Sequence, residues 1–217
     1  SLGYTAKEGV QRIPEAMANA LRQNIHYNKR VTGVESTPGG CKVRCSDGSV
    51  YVAKRVVCSL PLGVLRNIGL DPPLSGLQAE ALENIESQAI TQFYFAHRSK
   101  FWEKDGFAPS MFTDGPAGMV SATRSGEDPA EVTGLTAWAM GLKAEKLDTL
   151  PAKEAGRLAL QAIEAIRPAS RGQLELVGAH SWGTDPFAQG GWTYFKPGQI
   201  ARLTPVMSEP HGLIHFC

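Results

Sequence analysis

One-sided charge, abundant cysteine and long apolar runs are all missing from this chain. Lys and Arg number 22 against 21 Asp and Glu, a formal net charge of +1. That balance carries no nucleic-acid footprint and no polybasic patch for a membrane surface. No apolar run approaches the roughly 20 residues that a membrane-spanning helix needs. The opening Ser1-Leu2-Gly3-Tyr4 has neither a basic start nor an apolar stretch, so no signal peptide is visible. The chain does not begin with Met, which leaves targeting open; a cytoplasmic setting is the default expectation. Only four cysteines occur, at 41, 45, 58 and 217. Cys41 and Cys45 read as one face of a strand, roughly 13 Å apart, too far for a disulfide between them. No pair has the spacing of zinc ligands, and His211 and His215 are separated by Gly212 and preceded by Pro210, which argues against a shared helix face. Reduced, partly buried thiols and no metal site are expected. Also absent are Gly-x-Gly-x-x-Gly, a phosphate-binding loop and a nucleophile elbow.

What is present is ordinary globular material. Hydrophobic residues make up 42% and charged residues 20% of 217, enough for one or two domains with a real core. Residues 12–23 read as an amphipathic helix, with Pro14 in the first turn and Ile13, Met17, Ala20 and Leu21 on one face. Short strands are expected at 24–27, 30–35, 41–45 and 49–53, the last two flanking an Asp47-Gly48 turn. Residues 56–60 form a continuous apolar run, read as a strand buried on both faces. A helix at 75–85, an aromatic-rich strand at 89–97 and strands near 107–112, 117–123 and 132–140 follow. Pro151 opens a helix to about residue 166, whose Leu158, Ile163 and Ile166 suit packing on a sheet. A strand at 174–181, a loop-rich stretch at 183–210 and an apolar terminal strand complete the pattern. Helices and strands do not alternate regularly, so an α+β fold with a mostly antiparallel sheet flanked by helices is expected.

Four stretches resemble the flavin-containing amine oxidases, the group of the monoamine oxidases, polyamine oxidases and lysine-specific histone demethylases. Glu8-Gly9-Val10-Gln11-Arg12-Ile13-Pro14 through Val31-Thr32-Gly33-Val34-Glu35 is similar to that family's helix and following strand. Val56-Val57-Cys58-Ser59-Leu60-Pro61-Leu62-Gly63-Val64-Leu65 resembles its crossover into the substrate domain. Phe101-Trp102 follows an aromatic strand, as in the family. Trp182, Asp185-Pro186, Gly190-Gly191-Trp192-Thr193-Tyr194 and Pro197-Gly198 resemble its late segment, and Ile214-His215-Phe216-Cys217 the strand before its final flavin-binding motif. The resemblance covers essentially the whole chain. It implies pieces of an interrupted FAD-binding α/β domain at 1–63 and 184–217, with a substrate-binding domain at 64–183. The family's dinucleotide fingerprint would precede Ser1 and its C-terminal flavin motif would follow Cys217.

The same resemblance implies roles. Trp192 falls where the family has an aromatic beside the flavin, a wall that orients the amine, so it is assigned both catalytic and substrate-binding parts. Trp182 falls where a Trp packs near the isoalloxazine. Val31 and Pro61 fall at positions near the cofactor's adenine end and at the crossover. Gln92, nine residues before Phe101, stands where the family usually has a lysine that holds a water near flavin N5. Glutamine can hold a water but brings no charge, so altered oxygen reactivity is expected. By period two, Tyr94 shares the face of Gln92 and is a candidate to line the substrate pocket. No cysteine lies beside Trp192, which implies non-covalent FAD. The implied reaction is oxidation of a small-molecule amine or polyamine to an imine by hydride transfer to FAD. Two alternatives stand beside it: an inert substrate-binding fragment without flavin, prone to self-association through exposed sheet edges, and a sister branch acting on amino acids, which would need an arginine for the carboxylate.

Overall fold

The computed structural model describes residues 6, 9–21 and 25–217. They fall into two compact units: 89–183 together with the described residues up to 25, and 26–88 together with 184–217.

The first unit is built on a five-stranded antiparallel sheet. Its order is Leu174–Ser181, Ile90–His97, Gly134–Met140, Met119–Thr123, Met111–Phe112. Ile90–His97 is an interior strand, paired on both sides, and its side chains are apolar or hydrogen-bonded on both faces. Phe93 and Phe95 point into the core at 0% and 2% exposure. The helix Ala152–Ile166 covers that face through Ala155, Gly156, Ala159 and Ile163. Gly156 lets Leu176 lie directly against the helix: a Cβ there would come within 2.4 Å of Leu176 Cδ2, and the leucine would have to turn aside. Ile166, expected on the packed face, is instead 48% exposed where the helix runs out past the sheet.

A β-bulge interrupts the pairing of Leu174–Ser181 with Ile90–His97 between Leu176 and Gly178. Before it, Leu174 and Leu176 lie opposite His97 and Phe95, on the core side. After it, Gly178 and His180 lie opposite Tyr94 and Gln92, on the other side. One extra residue reverses the parity of the strand.

Arg167 pins the far end of this unit. It is 7% exposed, donates Nε and Nη2 to the two Asp105 carboxylate oxygens at 2.7 Å each, and donates Nη1 to the Ala108 carbonyl at 2.9 Å. Phe101 and Phe107 lie 5.2 and 5.6 Å from its guanidinium. Arg167→Ala would leave the Asp105 carboxylate without its partner, and the expected fall in Tm is on the order of 10 °C by calorimetry. The Arg167 hydrogen bond holds the Asp105 carboxyl below its ordinary value of 3.8. A lowered folded-state value means the contribution is present above 3.8 and is lost as pH falls below it. The gap between wild type and variant should therefore close on acidification; a gap independent of pH would remove the ion pair from the account.

The second unit holds a four-stranded sheet in the order Val50–Ala53, Gly40–Cys45, Val31–Thr37, Gly69–Asp71, with the last pair parallel. Val56–Cys58 pairs in parallel with Ile214–Phe216, and Thr193–Tyr194 pairs antiparallel with Glu86–Ser87. Val34, Cys41 and Ile214 centre one core, and Ala81, Ile85 and Leu203 a second beneath the helices Gly76–Asn84 and Gln199–Met207. All four cysteines are free thiols. Residues 64–88 pack in this unit, through Gly69–Asp71 and the helix pair.

Several local expectations are corrected. The run at 56–60 is a strand over three residues only, and Val57 is 71% exposed, so it is not buried on both faces. Residues 25–27 are irregular, and Asn24 lies outside the described residues. The segment near 107–112 is extended only at Met111–Phe112. The stretch at 183–210 contains the helix Gln199–Met207 despite Pro205 inside it. Gln78 holds that helix through its Nε2, which donates to the Val206 and Glu209 carbonyls at 3.2 and 2.7 Å. The N-terminal helix is described as Arg12–Leu21; its apolar residues Ile13, Met17 and Leu21 are all more than half exposed and none is buried.

Candidate active site

Gln92, Tyr94 and Trp182 come together in the first unit. The pleat of Ile90–His97 puts Gln92 and Tyr94 on the face away from the Phe93 and Phe95 core. The bulge then turns His180 and Trp182 to that same face. Gln92 Oε1 accepts hydrogen bonds from Trp182 Nε1 at 2.7 Å and from the Tyr94 hydroxyl at 3.1 Å. The His180 ring meets Trp182 edge-on, centroids 4.4 Å apart. Gly178 lies opposite Tyr94, whose ring passes directly over it: a Cβ there would stand in van der Waals contact with Tyr94 Cδ2 at 3.4 Å.

The chemistry of this cluster follows from its geometry. Gln92 is 6% exposed. With two donors on Oε1, its amide is oriented, and the NH2 group is the end that can donate to a water or an amine. Burial raises the Tyr94 hydroxyl above its ordinary value, so it stays protonated and acts as a donor at neutral pH. Thr136 and Trp138 extend the face on the neighbouring strand, with Trp138 Nε1 donating to Ser121 Oγ at 3.1 Å. The face is polar and aromatic, built from Gln92, Tyr94, Thr136, Trp138, His180 and Trp182, with no Asp, Glu, Lys or Arg among these positions. Sequence periodicity does not place His180 and Trp138 here, and the register that brings both opposite Gln92 is set only by strand pairing.

Trp192, Val31 and Pro61 lie in the second unit. Trp192 is 53% exposed, and its carbonyl accepts the Gln88 N–H at 3.0 Å. The backbone just before it is tightly drawn. Gly190 has φ +133°, and a Cβ there would lie 2.5 Å from Ser87 Cβ, so only glycine fits. The Asp185 carboxylate shapes the preceding turn by accepting the Phe187 and Ala188 N–H groups at 2.7 and 3.1 Å. Val31 opens its strand and, with Lys29, Arg30, Leu60, Val64 and Phe187, lines a cleft of about 750 Å³. Pro61 stands at the start of the short helix Leu62–Leu65, next to Leu60 of that cleft. A second cavity of about 400 Å³, walled by Leu62, Leu65, Leu82, Phe195 and Met207 among others, contains none of the sequence-predicted site residues. Among the described residues no three His, Cys, Asp or Glu side chains group to hold a metal ion, and no helix is long and apolar enough to cross a membrane.

Known proteins give this arrangement its context. The family described as flavin containing amine oxidoreductase matches residues 2–217. A flavin-containing amine oxidase of Danio rerio is 24% identical over 217 residues, covering 96% of this chain and 40% of that protein. An L-amino-acid oxidase of Bothrops jararacussu is also 24% identical, over 96% of this chain and 44% of its own length. Among solved structures, putrescine oxidase bound to putrescine superposes with a TM-score of 0.78 at 23% identity, covering 97% of this chain and 47% of that one. Cyclohexylamine oxidase from Brevibacterium oxydans gives 0.79 at 19%, covering 96% and 46%. The chain thus spans less than half the length of these relatives. Match and fold agree over nearly every residue, and the chain belongs to the flavin-containing amine oxidoreductases.

Proposed function

We propose that this chain is the substrate-sheet and crossover part of an FAD-dependent oxidase that converts a small amine or polyamine to an imine. The observation that carries the reading is the face around the buried Gln92: aromatic, half-buried at Tyr94 and Trp138, able to donate hydrogen bonds, and formed among the described residues without an arginine. A neutral amine needs a donor or water contact at nitrogen and a flat wall at its carbon. An amino acid would need a cation for its carboxylate. Among the described residues of this unit, the buried arginine is Arg167, and it is committed to Asp105. That favours the amine branch over the amino-acid branch, although relatives of both kinds are similar to the chain.

The cleft at Val31 supports a place for one end of the cofactor. It offers backbone at a strand start, the cations Lys29 and Arg30, and apolar walls at Leu60, Val64 and Phe187. Its volume is within the range of small-molecule and cofactor sites. No cysteine occurs in the Gly190-Gly191-Trp192-Thr193-Tyr194 stretch, which favours non-covalent attachment. When bound, the flavin supplies a two-electron acceptor for the hydride equivalent lost from the amine α-carbon. The chain's own residues bind, orient and dry the substrate. Trp192, in the second unit, keeps the part that the family resemblance implies for it, an aromatic wall orienting the α C–H. Gln92 and Tyr94 present donors to the amine nitrogen or to a water beside it. The exposed edge strand Val50–Ala53, with Val50 and Val52 at 50% and 77% exposure, is a route to self-association in the isolated chain.

Anaerobic reduction tests the reading. A protein carrying this segment, loaded with FAD, should lose its visible flavin absorption on addition of a primary aliphatic amine or diamine and keep it with L-amino acids. Bleaching by L-amino acids alone would move the assignment to the sister branch. No bleaching by either class would sink it.

A further inference from the structure

Asp148 is the last residue of the helix Leu142–Asp148, underneath the sheet on the core side. Its carboxylate accepts two hydroxyl hydrogen bonds: from Thr91 Oγ1 to Oδ1 at 2.6 Å, and from Ser181 Oγ to Oδ2 at 2.8 Å. Thr91 and Ser181 are directly opposite each other in the paired strands. Each immediately precedes one half of the candidate site: Thr91 precedes Gln92, and Ser181 precedes Trp182. The backbone is locked at the same point, because the Trp182 N–H donates to the Ile90 carbonyl at 2.8 Å. Gly183 follows, and a Cβ there would stand 3.4 Å from Asp148 Oδ2, so the carboxylate lies close under the strand end.

A carboxylate at the carboxyl end of a helix faces the negative pole of the helix dipole. Asp148 therefore does not serve its own helix; its contacts are the two hydroxyls. Thr91 is 4% exposed and the other two partners are half-buried, so the bridge is partly shielded from water, and its charge-assisted hydrogen bonds are short and directional. We infer that Asp148 is a positioning residue: by bridging Thr91 and Ser181 from the core side, it fixes the spacing across which the Trp182 indole reaches Gln92 on the other side. It touches neither amine nor flavin. Its importance for turnover rests on the oxidase reading above; its effect on the Gln92–Trp182 bond does not.

The test is therefore made on the bond itself. In the 15N-labelled chain, the indole N–H of Trp182 is assigned by its loss in Trp182→Phe, and its hydrogen exchange is compared with those of Trp102 and Trp138. Asp148→Ala should speed exchange at Trp182 by tenfold or more while Trp102 and Trp138 change less than twofold. Asp148→Asn, which can still accept one hydroxyl and donate to the other, should stay within threefold of wild type. Thr91→Val and Ser181→Ala, each removing one arm of the bridge, should give intermediate rises, and they decide the matter if Asp148→Ala does not fold. Unchanged exchange at Trp182, or a rise shared equally by all three indoles, would overturn the positioning role. No flavin enters this measurement, so a failure of the amine reading would be seen in the bleaching experiment and not here. In the flavin-loaded protein, the rate of reduction by amine should fall at least tenfold in Asp148→Ala and be restored in Asp148→Asn.

Discussion

Replacing Phe93 by alanine should cost the sheet unit about 3–5 kcal/mol, the range for deleting a fully buried aromatic ring. Phe93 has no exposed surface, sits mid-strand in an interior strand paired on both sides, and belongs to the core of Phe95, Leu135, Ala137, Ala159 and Ile163. Neighbours on three sides are held in register by strand pairing and cannot collapse into the space, so the cavity term adds to the transfer term. Set against a total of roughly 5–15 kcal/mol for a domain, the variant should be barely folded at 37 °C. Urea denaturation followed by far-ultraviolet circular dichroism measures it. A loss below about 1 kcal/mol would mean that this face relaxes freely and that the sheet is not the rigid base proposed for the site.

Gln92→Lys should raise the rate at which the reduced flavin of the loaded protein is reoxidised by oxygen, by about tenfold or more. The side chain is 6% exposed and hydrogen-bonded through Oε1. An ammonium in its place would bring a cation into a dry aromatic face, where it can stabilise negative charge developing on oxygen, and Trp182 could hold it through its ring. The same change removes the acceptor for the Trp182 indole, so the amine-reduction step should slow in the same variant. Stopped-flow mixing separates the two half-reactions. Equal reoxidation rates in wild type and variant would detach Gln92 from oxygen chemistry and leave it as an orienting residue for Trp182.

The two predictions rest on opposite faces of one strand. The period of two along 90–97 is enough to put Phe93 and Phe95 on one face and Gln92 and Tyr94 on the other, because a pleated backbone leaves no other choice. The turn at Asp47-Gly48, the helix opened by Pro151 and the strand Leu174–Ser181 were legible for the same reason: the signals are local, set by backbone sterics and side-chain period. Gln92 and Tyr94 could be paired from sequence by that period alone, and Trp182 by family resemblance.

Longer-range facts were not legible. Strict alternation along Leu174–Ser181 would put His180 and Trp182 on the face of Leu174 and Leu176, in the core. The bulge at Val177 reverses that, and nothing in Glu175-Leu176-Val177-Gly178 announces it, because a bulge is decided by the partner strand. The helix Gln199–Met207 forms in spite of Pro205 because Gln78 and the Leu203 core favour it, an energy that appears only after 120 intervening residues have folded. The exposure of Val57 likewise follows from which strands lie beside it. Residue types and local period thus determined which side chains exist for the site and which face of a strand each can take. Strand pairing, a bulge and the half-buried carboxylate of Asp148 decided which of them meet, since those contacts join residues whose separation in sequence carries no local signal.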